Sequence, residues 1–182
     1  GAGTQTAGMI MGGGNPSPIS PTSNVENYNG TSWTTGTGLG TARYGGGGGG
    51  TQTAAIYFAG FTSPGPANLT NATELWNGTS WTTSGNYPTV LNASGFAGTQ
   101  TAALAFAGEN QGPPYPYTNT NSWNGSTWTS LGVSMANSRA YQNGSCGTQG
   151  AALAISGNPG PVTGLSEEWT GSQFQTKTIT VS

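Results

Sequence analysis

Histidine and aspartate are absent from these 182 residues, and cysteine occurs once, at Cys146. Those absences exclude a Ser-His-Asp triad, a Cys-His pair, an EF-hand loop and an imidazole metal site. They imply neither a metal nor another cofactor. A lone cysteine also allows no internal disulfide. Charge is nearly as scarce: three basic residues, Arg43, Arg139 and Lys177, stand against five glutamates, for a net charge of −2. A pI near 4.7 argues against a nucleic-acid partner, because such affinity rests on neutralising phosphates. The longest useful apolar run is Ala54–Ala59, far short of the ~18 residues that cross a bilayer, so no membrane partner is expected. No signal peptide is visible.

What is present argues against disorder. Disordered chains are poor in aromatics and rich in net charge, whereas this one carries six Trp, seven Tyr and five Phe. Gly, Thr, Ser and Asn supply just over half of the residues. Regularly placed aromatics on that background predict short strands joined by tight turns.

The spacing of the aromatics is periodic. Gly3-Thr4-Gln5-Thr6-Ala7 returns as Gly50-Thr51-Gln52-Thr53-Ala54, as Gly98-Thr99-Gln100-Thr101-Ala102 and as Gly147-Thr148-Gln149-Gly150-Ala151. A second marker, Tyr28-Asn29-Gly30-Thr31-Ser32-Trp33, recurs as Trp76–Trp81, Trp123–Trp128 and, more weakly, Trp169–Phe174. Four units of about 46 residues, roughly 1–40, 41–88, 89–135 and 136–182, fill one domain, and periods of ~40–50 residues mark propellers and solenoids. Each unit reads as four strands: an Arg/Tyr strand, a Thr-Gln-Thr-Ala strand, a Glu-x-Trp strand and a Thr-Ser-Trp strand. Asn-Gly between β-rich segments predicts a two-residue type I′ hairpin, which makes Trp76 and Trp81 diagonal neighbours on one face. The paired indoles would join one sheet to the next. A four-stranded unit repeated radially is a β-propeller blade, so the expected fold is an all-β propeller of four blades; part of a larger propeller is the alternative.

At this point the residues resemble the kelch-type propellers. The features that match are glycine after the second strand (Gly12-Gly13, Gly60, Gly108, Gly157), an aromatic ending the third (Tyr28, Trp76, Trp123, Trp169), Trp in the fourth (Trp33, Trp81, Trp128) and Arg opening the next unit (Arg43, Arg139). The double glycine survives only in the first unit, and Val90-Leu91 replaces the Arg between the second and third. The wording of the repeat is similar to repeats of bacteriophage structural proteins, marine ones in particular. That resemblance implies a virion or extracellular appendage location. Some kelch-like propellers are copper oxidases, but their His and Tyr ligands cannot be matched here. The C-terminal segment Lys177–Ser182 alternates like a strand and is expected to supply a strand missing from the first unit, closing the ring.

Glu26, Glu74 and Glu167 occupy one repeated position, two residues before the third-strand aromatic, with Asn121 in the remaining unit. A residue recurring once per blade reads as architectural, pairing with Arg43 or Arg139 or accepting turn N–H groups. Glu167 and Glu168 point to opposite faces of a strand and cannot flank one glycosidic bond. Glu109 reads as solvated and Cys146 as a small buried residue. Gly45–Gly50 lacks the Lys-Ser/Thr of a phosphate loop and reads as a close-packed inner strand. No catalytic residue is expected.

The connections between second and third strands, 14–24, 61–71, 109–121 and 158–164, hold ten of the eleven prolines. Radial symmetry would gather them on one face, where proline lowers the ordering cost of binding. Phe61, Tyr115 and Tyr117 are the expected exposed aromatics, suited to stacking on sugar rings. The expected function is a non-enzymatic virion or appendage protein binding host-surface glycans through this face; the alternative is a fibre or decoration subunit with no ligand. Partners would be other coat proteins, further copies of the chain, or a surface glycan.

Overall fold

The computed structural model describes residues 1–16, 19–64, 68–110, 117–140, 144–157 and 165–178. They form strands and turns with no α-helix, as the density of glycine and β-branched residues requires. Blade 1 is β1 (Ala2–Thr4), β2 (Ala7–Pro16), β3 (Ile19–Tyr28) and β4 (Trp33–Thr35). Blade 2 is β5 (Gly47–Gly50), β6 (Ala55–Phe58), β7 (Thr73–Trp76) and β8 (Trp81–Ser84). Blade 3 is β9 (Gly95–Gly98), β10 (Ala103–Phe106), β11 (Thr120–Trp123) and β12 (Trp128–Ser130), and blade 4 is β13 (Gly144–Gly147), β14 (Ala152–Ile155), β15 (Leu165–Trp169) and β16 (Phe174–Thr178). Each blade is an antiparallel sheet with its strands in sequence order. The first strands of all four blades line one cavity of about 210 Å³. The chain is a four-bladed β-propeller.

The blades pack through alternating side chains of the second strands. In β6, Ala55 and Tyr57 join Met9, Met11 and Val25 of blade 1, while Ile56 and Phe58 join Phe96, Ala103, Ala105, Trp123 and Trp128 of blade 3. In β10, Leu104 and Phe106 join Ala152, Ala154 and Trp169 of blade 4. A strand buried on both faces needs an unbroken apolar run, and Ala55–Phe58 and Ala103–Phe106 are buried throughout.

Four details differ from the sequence reading. The Arg/Tyr segment is not the first strand of the blade: in blade 2 that place is taken by the Gly47–Gly50 stretch after it, within the run already read as a close-packed inner strand. Gly47–Gly50 pairs residue by residue with Phe58–Ala55. Its glycines are needed because a Cβ at Gly47 would meet the Phe58 ring and one at Gly49 the Phe96 ring. Thr-Gln-Thr is then the turn joining first and second strands, closed by Thr51 N–H to the Ala54 carbonyl at 2.9 Å.

The Asn-Gly turn is also longer than the two-residue form. Asn77 Oδ1 accepts from the N–H groups of Thr79 and Ser80, both at 2.9 Å, so Asn77–Ser80 forms a four-residue loop. Gly78 has φ +93° but Asn77 does not have positive φ, as type I′ would require. Trp76 therefore lies directly opposite Trp81, with ring centroids 5.4 Å apart.

The described part of the C-terminal segment does not supply a strand to blade 1. Residues 174–178 form the fourth strand of blade 4, paired with β15, and the first unit already has its first strand in Ala2–Thr4. The span 179–182 lies outside the described residues. Cys146, finally, is exposed: as a residue of β13 it borders the central cavity with Gly147 and Ser145 instead of lying buried.

The candidate ligand-binding face and the bolts between blades

Antiparallel topology places the connection between second and third strands at the same end of each blade as the junction to the next blade. At this end a pair of residues, following the second strand in blades 2 to 4 and lying at a register shift within β2 in blade 1, has left-handed backbone. Ala59 (φ 59°), Ala107 (φ 59°) and Ser156 (φ 56°) take the place of Gly12 (φ 61°), each followed by a glycine also at positive φ. The double-glycine conformation is thus kept where the sequence no longer shows it, at the steric cost of a Cβ in that region. The turned backbone grips the junction that follows. Gly13, Gly60 and Gly108 donate N–H bonds of 2.8–2.9 Å to the carbonyls of Arg43, Leu91 and Arg139.

The junction side chains form buried polar pairs. Arg43 Nη2 lies 2.7 Å from Glu74 Oε1, and its Nη1 donates to the Ala72 carbonyl at 2.8 Å. Glu74 also accepts from the N–H groups of Gly40 and Thr41. The Arg43 guanidinium sits 5.0 Å from the Tyr57 ring centroid. Burial pulls the Arg43 pKa down, a pull the Glu74 carboxylate and Tyr57 oppose. Burial likewise pushes the Tyr57 hydroxyl up, opposed in part by its contact with the Gly46 N–H and by Arg43. Blade 4 repeats the arrangement with Arg139 and Glu167, the Ala136 and Asn137 N–H groups completing the carboxylate. Blade 3 has Asn121 at the glutamate position and Leu91 at the arginine position, and there the buried Tyr87 hydroxyl accepts from Asn121 Nδ2 at 2.6 Å. Glu26, at the same position of blade 1, is exposed and has no hydrogen-bond or ion-pair partner among the described residues. The expectation that all three glutamates pair with an arginine or turn N–H groups is corrected there.

At the opposite end of the blades a glutamine bolts each sheet to the one before it, a role the sequence reading missed although Thr-Gln-Thr was its strongest repeat. Gln52 Nε2 donates to the carbonyls of Gly8 and Tyr28 in blade 1. Gln100 does the same to Ala55 and Trp76, and Gln149 to Ala103 and Trp123. The backbone carbonyls of these glutamines accept the indole N–H of Trp76, Trp123 and Trp169 at 3.0, 2.6 and 3.0 Å. Trp76, Trp123, Trp128 and Trp169 are all buried. Trp81 is half-buried and its indole donates to the Thr37 carbonyl. Trp33, expected to be an inter-blade residue, is 49 % exposed, because among the described residues no neighbouring sheet covers that face of blade 1.

Of the three expected ligand-contacting aromatics, Tyr115 lies outside the described residues. Phe61 is buried and corrects the expectation: it exchanges backbone hydrogen bonds with Tyr44, so it extends the blade by one rung, and its ring stacks on Tyr44 at 5.0 Å. Tyr44 is half-buried and is the aromatic that this rung offers to solvent. Tyr117 is half-buried against the blade 2–blade 3 core, its N–H donating to the Gly108 carbonyl. Between them, Asn92 and Glu109 form the equivalent rung of blade 3, with paired backbone bonds of 2.9 and 3.0 Å and a side-chain contact of 3.5 Å. Glu109 is therefore half-buried and partnered, not merely solvated. In blade 1 residues 14–16 and 19–24, expected as loop, continue the β2–β3 hairpin. Tyr44, Phe61, Asn92, Glu109 and Tyr117 form an arc across blades 2 and 3 without a nucleophile–base pair. No protein-family model matches the chain, and no curated protein matches it.

Proposed function

We propose that this propeller is a non-enzymatic structural module of a virion or extracellular appendage, kelch-like in its repeat and of bacteriophage type, that holds a surface glycan on its junction face. The observation that carries this reading is the arc from Tyr44 to Tyr117. It offers two half-buried tyrosines, with the half-buried Glu109 carboxylate beside them as a polar partner for sugar hydroxyls. Sugar recognition of this kind needs stacking faces and a few fixed hydrogen-bonding groups, not charge. In the sequence Phe61, Glu109 and Tyr117 belong to proline-bearing connections, and proline lowers the ordering cost of binding. The non-enzymatic half of the reading is supported by the ionisable side chains. Glu74, Glu167, Arg43 and Arg139 are tied up in buried pairs, and no His or Asp exists to accompany them.

A second reading, a subunit that packs against coat proteins or its own copies with no ligand, is favoured by the exposed apolar face of blade 1, where Ile10 is 47 % and Trp33 49 % exposed. Immobilised polysaccharides from candidate host surfaces separate the two. Binding that is lost in Tyr44→Ala and in Tyr115→Ala/Tyr117→Ala, with the fold intact, supports the glycan reading. Absence of binding across the panel contradicts it, and release of sugar products contradicts the non-enzymatic half.

A further inference from the structure

Blade 1 carries an unfilled copy of a site that is filled twice elsewhere in the molecule. In blade 2 the Glu74 carboxylate receives three groups from the preceding junction, Gly40 N–H, Thr41 N–H and the Arg43 guanidinium. In blade 4 the Glu167 carboxylate receives Ala136 N–H, Asn137 N–H and Arg139. The two junctions share a pattern: a buried Leu39 or Met135, a small residue, two further residues, then arginine. Glu26 stands at the same register, opposite Ile10 on β2, as Glu74 stands opposite Tyr57. Around Glu26, however, there is a cavity of about 220 Å³ bounded by Ile10, Thr22, Asn24 and the β2 glycines Gly12–Gly14.

The rest of the same face is equally uncovered. Ile10 and Trp33 are about half exposed, whereas Tyr57, Ala105 and Ala154 at the Ile10 position are 5 % or less exposed. Gln5, which by repeat position would bolt blade 1 to a preceding sheet as Gln52, Gln100 and Gln149 do, is exposed and makes no such bond among the described residues. On the other side of this seam Leu153 and Ile155 of β14 are half-buried, whereas Ile56, Phe58, Leu104 and Phe106 at their positions are fully buried.

We propose that the Glu26 cavity is a docking site for an arginine-bearing blade-junction segment of the Leu-Gly-x-x-Arg type. The carboxylate takes the guanidinium and two backbone N–H groups, and the leucine covers the apolar end. Charge complementarity and the two filled copies define this occupant: the site selects a planar cation that donates in parallel to a carboxylate, not an anion or a sugar. Filling it covers Ile10 and the adjoining face, so the site works as the point where a further blade of the same repeat type is added to blade 1. This rests on the seam between blades and not on the glycan arc.

The test uses the full chain and a synthetic peptide of its own sequence, Gly38–Tyr44, with both ends blocked, followed by NMR titration. The expected result is saturable shifts at Ile10, Gly12, Glu26 and the Trp33 indole. Apparent affinity should fall by about tenfold or more, the weight of a charge-assisted hydrogen bond, in Glu26→Gln and with citrulline in place of the peptide arginine. Because Glu26 is exposed, Glu26→Gln leaves the fold intact. No saturable shift at these residues, or equal affinity in Glu26→Gln, overturns the assignment. Concentration-dependent shifts at Ile10 and Trp33 without peptide give the face to a second copy of the chain and also overturn it. Loss of glycan binding in Tyr117→Ala, with peptide binding unchanged, keeps the two proposals distinguishable.

Discussion

Tyr87 and Asn121 hold the blade 2–blade 3 junction through a single 2.6 Å hydrogen bond at the place where its two counterparts hold an arginine–glutamate pair. The replacement is concerted: Asn121 stands for glutamate, Leu91 for arginine, and Tyr87 for the Leu39 or Met135 of the other junctions. Buried ion pairs carry a large desolvation cost, and a neutral hydrogen-bonded pair avoids it. Asn121 is fully engaged, since its Oδ1 also accepts from Ser130 Oγ at 2.7 Å.

Tyr87→Phe keeps the ring contacts to Phe58 and Trp128 but leaves Asn121 Nδ2 buried without its acceptor. The expected loss is ~1–3 kcal/mol of stability, read as a lower urea midpoint with an unchanged slope.

The same hydroxyl makes the fold sensitive to alkali. Burial pushes the Tyr87 pKa up to about 12, and the hydrogen bond from Asn121 offsets only part of the push. A group whose folded pKa is raised contributes stability in full below its unfolded value, near 10 for tyrosine, and loses it as pH rises toward the folded one. Stability should therefore fall between about pH 10 and pH 12. Tyr87→Phe should flatten that fall, and the tyrosinate absorbance of the folded protein should show a group titrating late.

Equivalent glutamates should respond unequally. Glu74→Gln leaves the Arg43 guanidinium buried without its counter-charge, a loss of ~3–5 kcal/mol. Glu26→Gln, at the same register but exposed, should stay within ~0.5 kcal/mol. Thermal unfolding of the two variants side by side checks this.

The glutamine bolts predict a similar contrast. Gln100→Ala removes two hydrogen bonds to the Ala55 and Trp76 carbonyls and should cost ~1–3 kcal/mol. Gln5→Ala should be silent. Gly60→Ala is the backbone counterpart: a Cβ there would lie 2.6 Å from the Tyr44 carbonyl oxygen at φ +96°, and the variant should lose ~2 kcal/mol or more. Equal effects in the two glutamine variants, or a neutral Gly60→Ala, contradict the packing described.

Much of the architecture was legible because repetition makes equivalence visible: four copies of Thr-Gln-Thr and of the aromatic–Asn-Gly marker define four blades of four strands. Equivalence does not reveal surroundings. Glu26 and Trp33 match their buried counterparts in sequence, yet they differ in exposure because among the described residues no sheet lies against the face they share. The strand assignment slipped at the Arg/Tyr segment, read as a strand of its own, and at Thr-Gln-Thr, which turns between first and second strands; the Gly47–Gly50 inner strand was legible because neighbouring rings fill the space a Cβ would take. Phe61 was read as exposed because a proline-bearing loop follows it, but the ladder runs one rung further to Tyr44. Of the candidate site, Tyr117 was legible as an aromatic on a connection. The Tyr44–Phe61 and Asn92–Glu109 rungs were not, because they join residues 17 positions apart through backbone bonds.

The central claim is that the four sheets surround one axis, with first strands from blade 1 and blade 4 on the wall of a common cavity. Cys146 is exposed there, and Ala2, also on the cavity wall, can be changed to cysteine. Spin labels on Cys146 and on the Ala2→Cys position then report the distance directly by pulsed dipolar spectroscopy. Four sheets stacked in line, at ~10 Å per step, would set these labels ~30 Å or more apart. The propeller predicts a distribution centred well below that value, and one centred at or beyond it would contradict the radial arrangement.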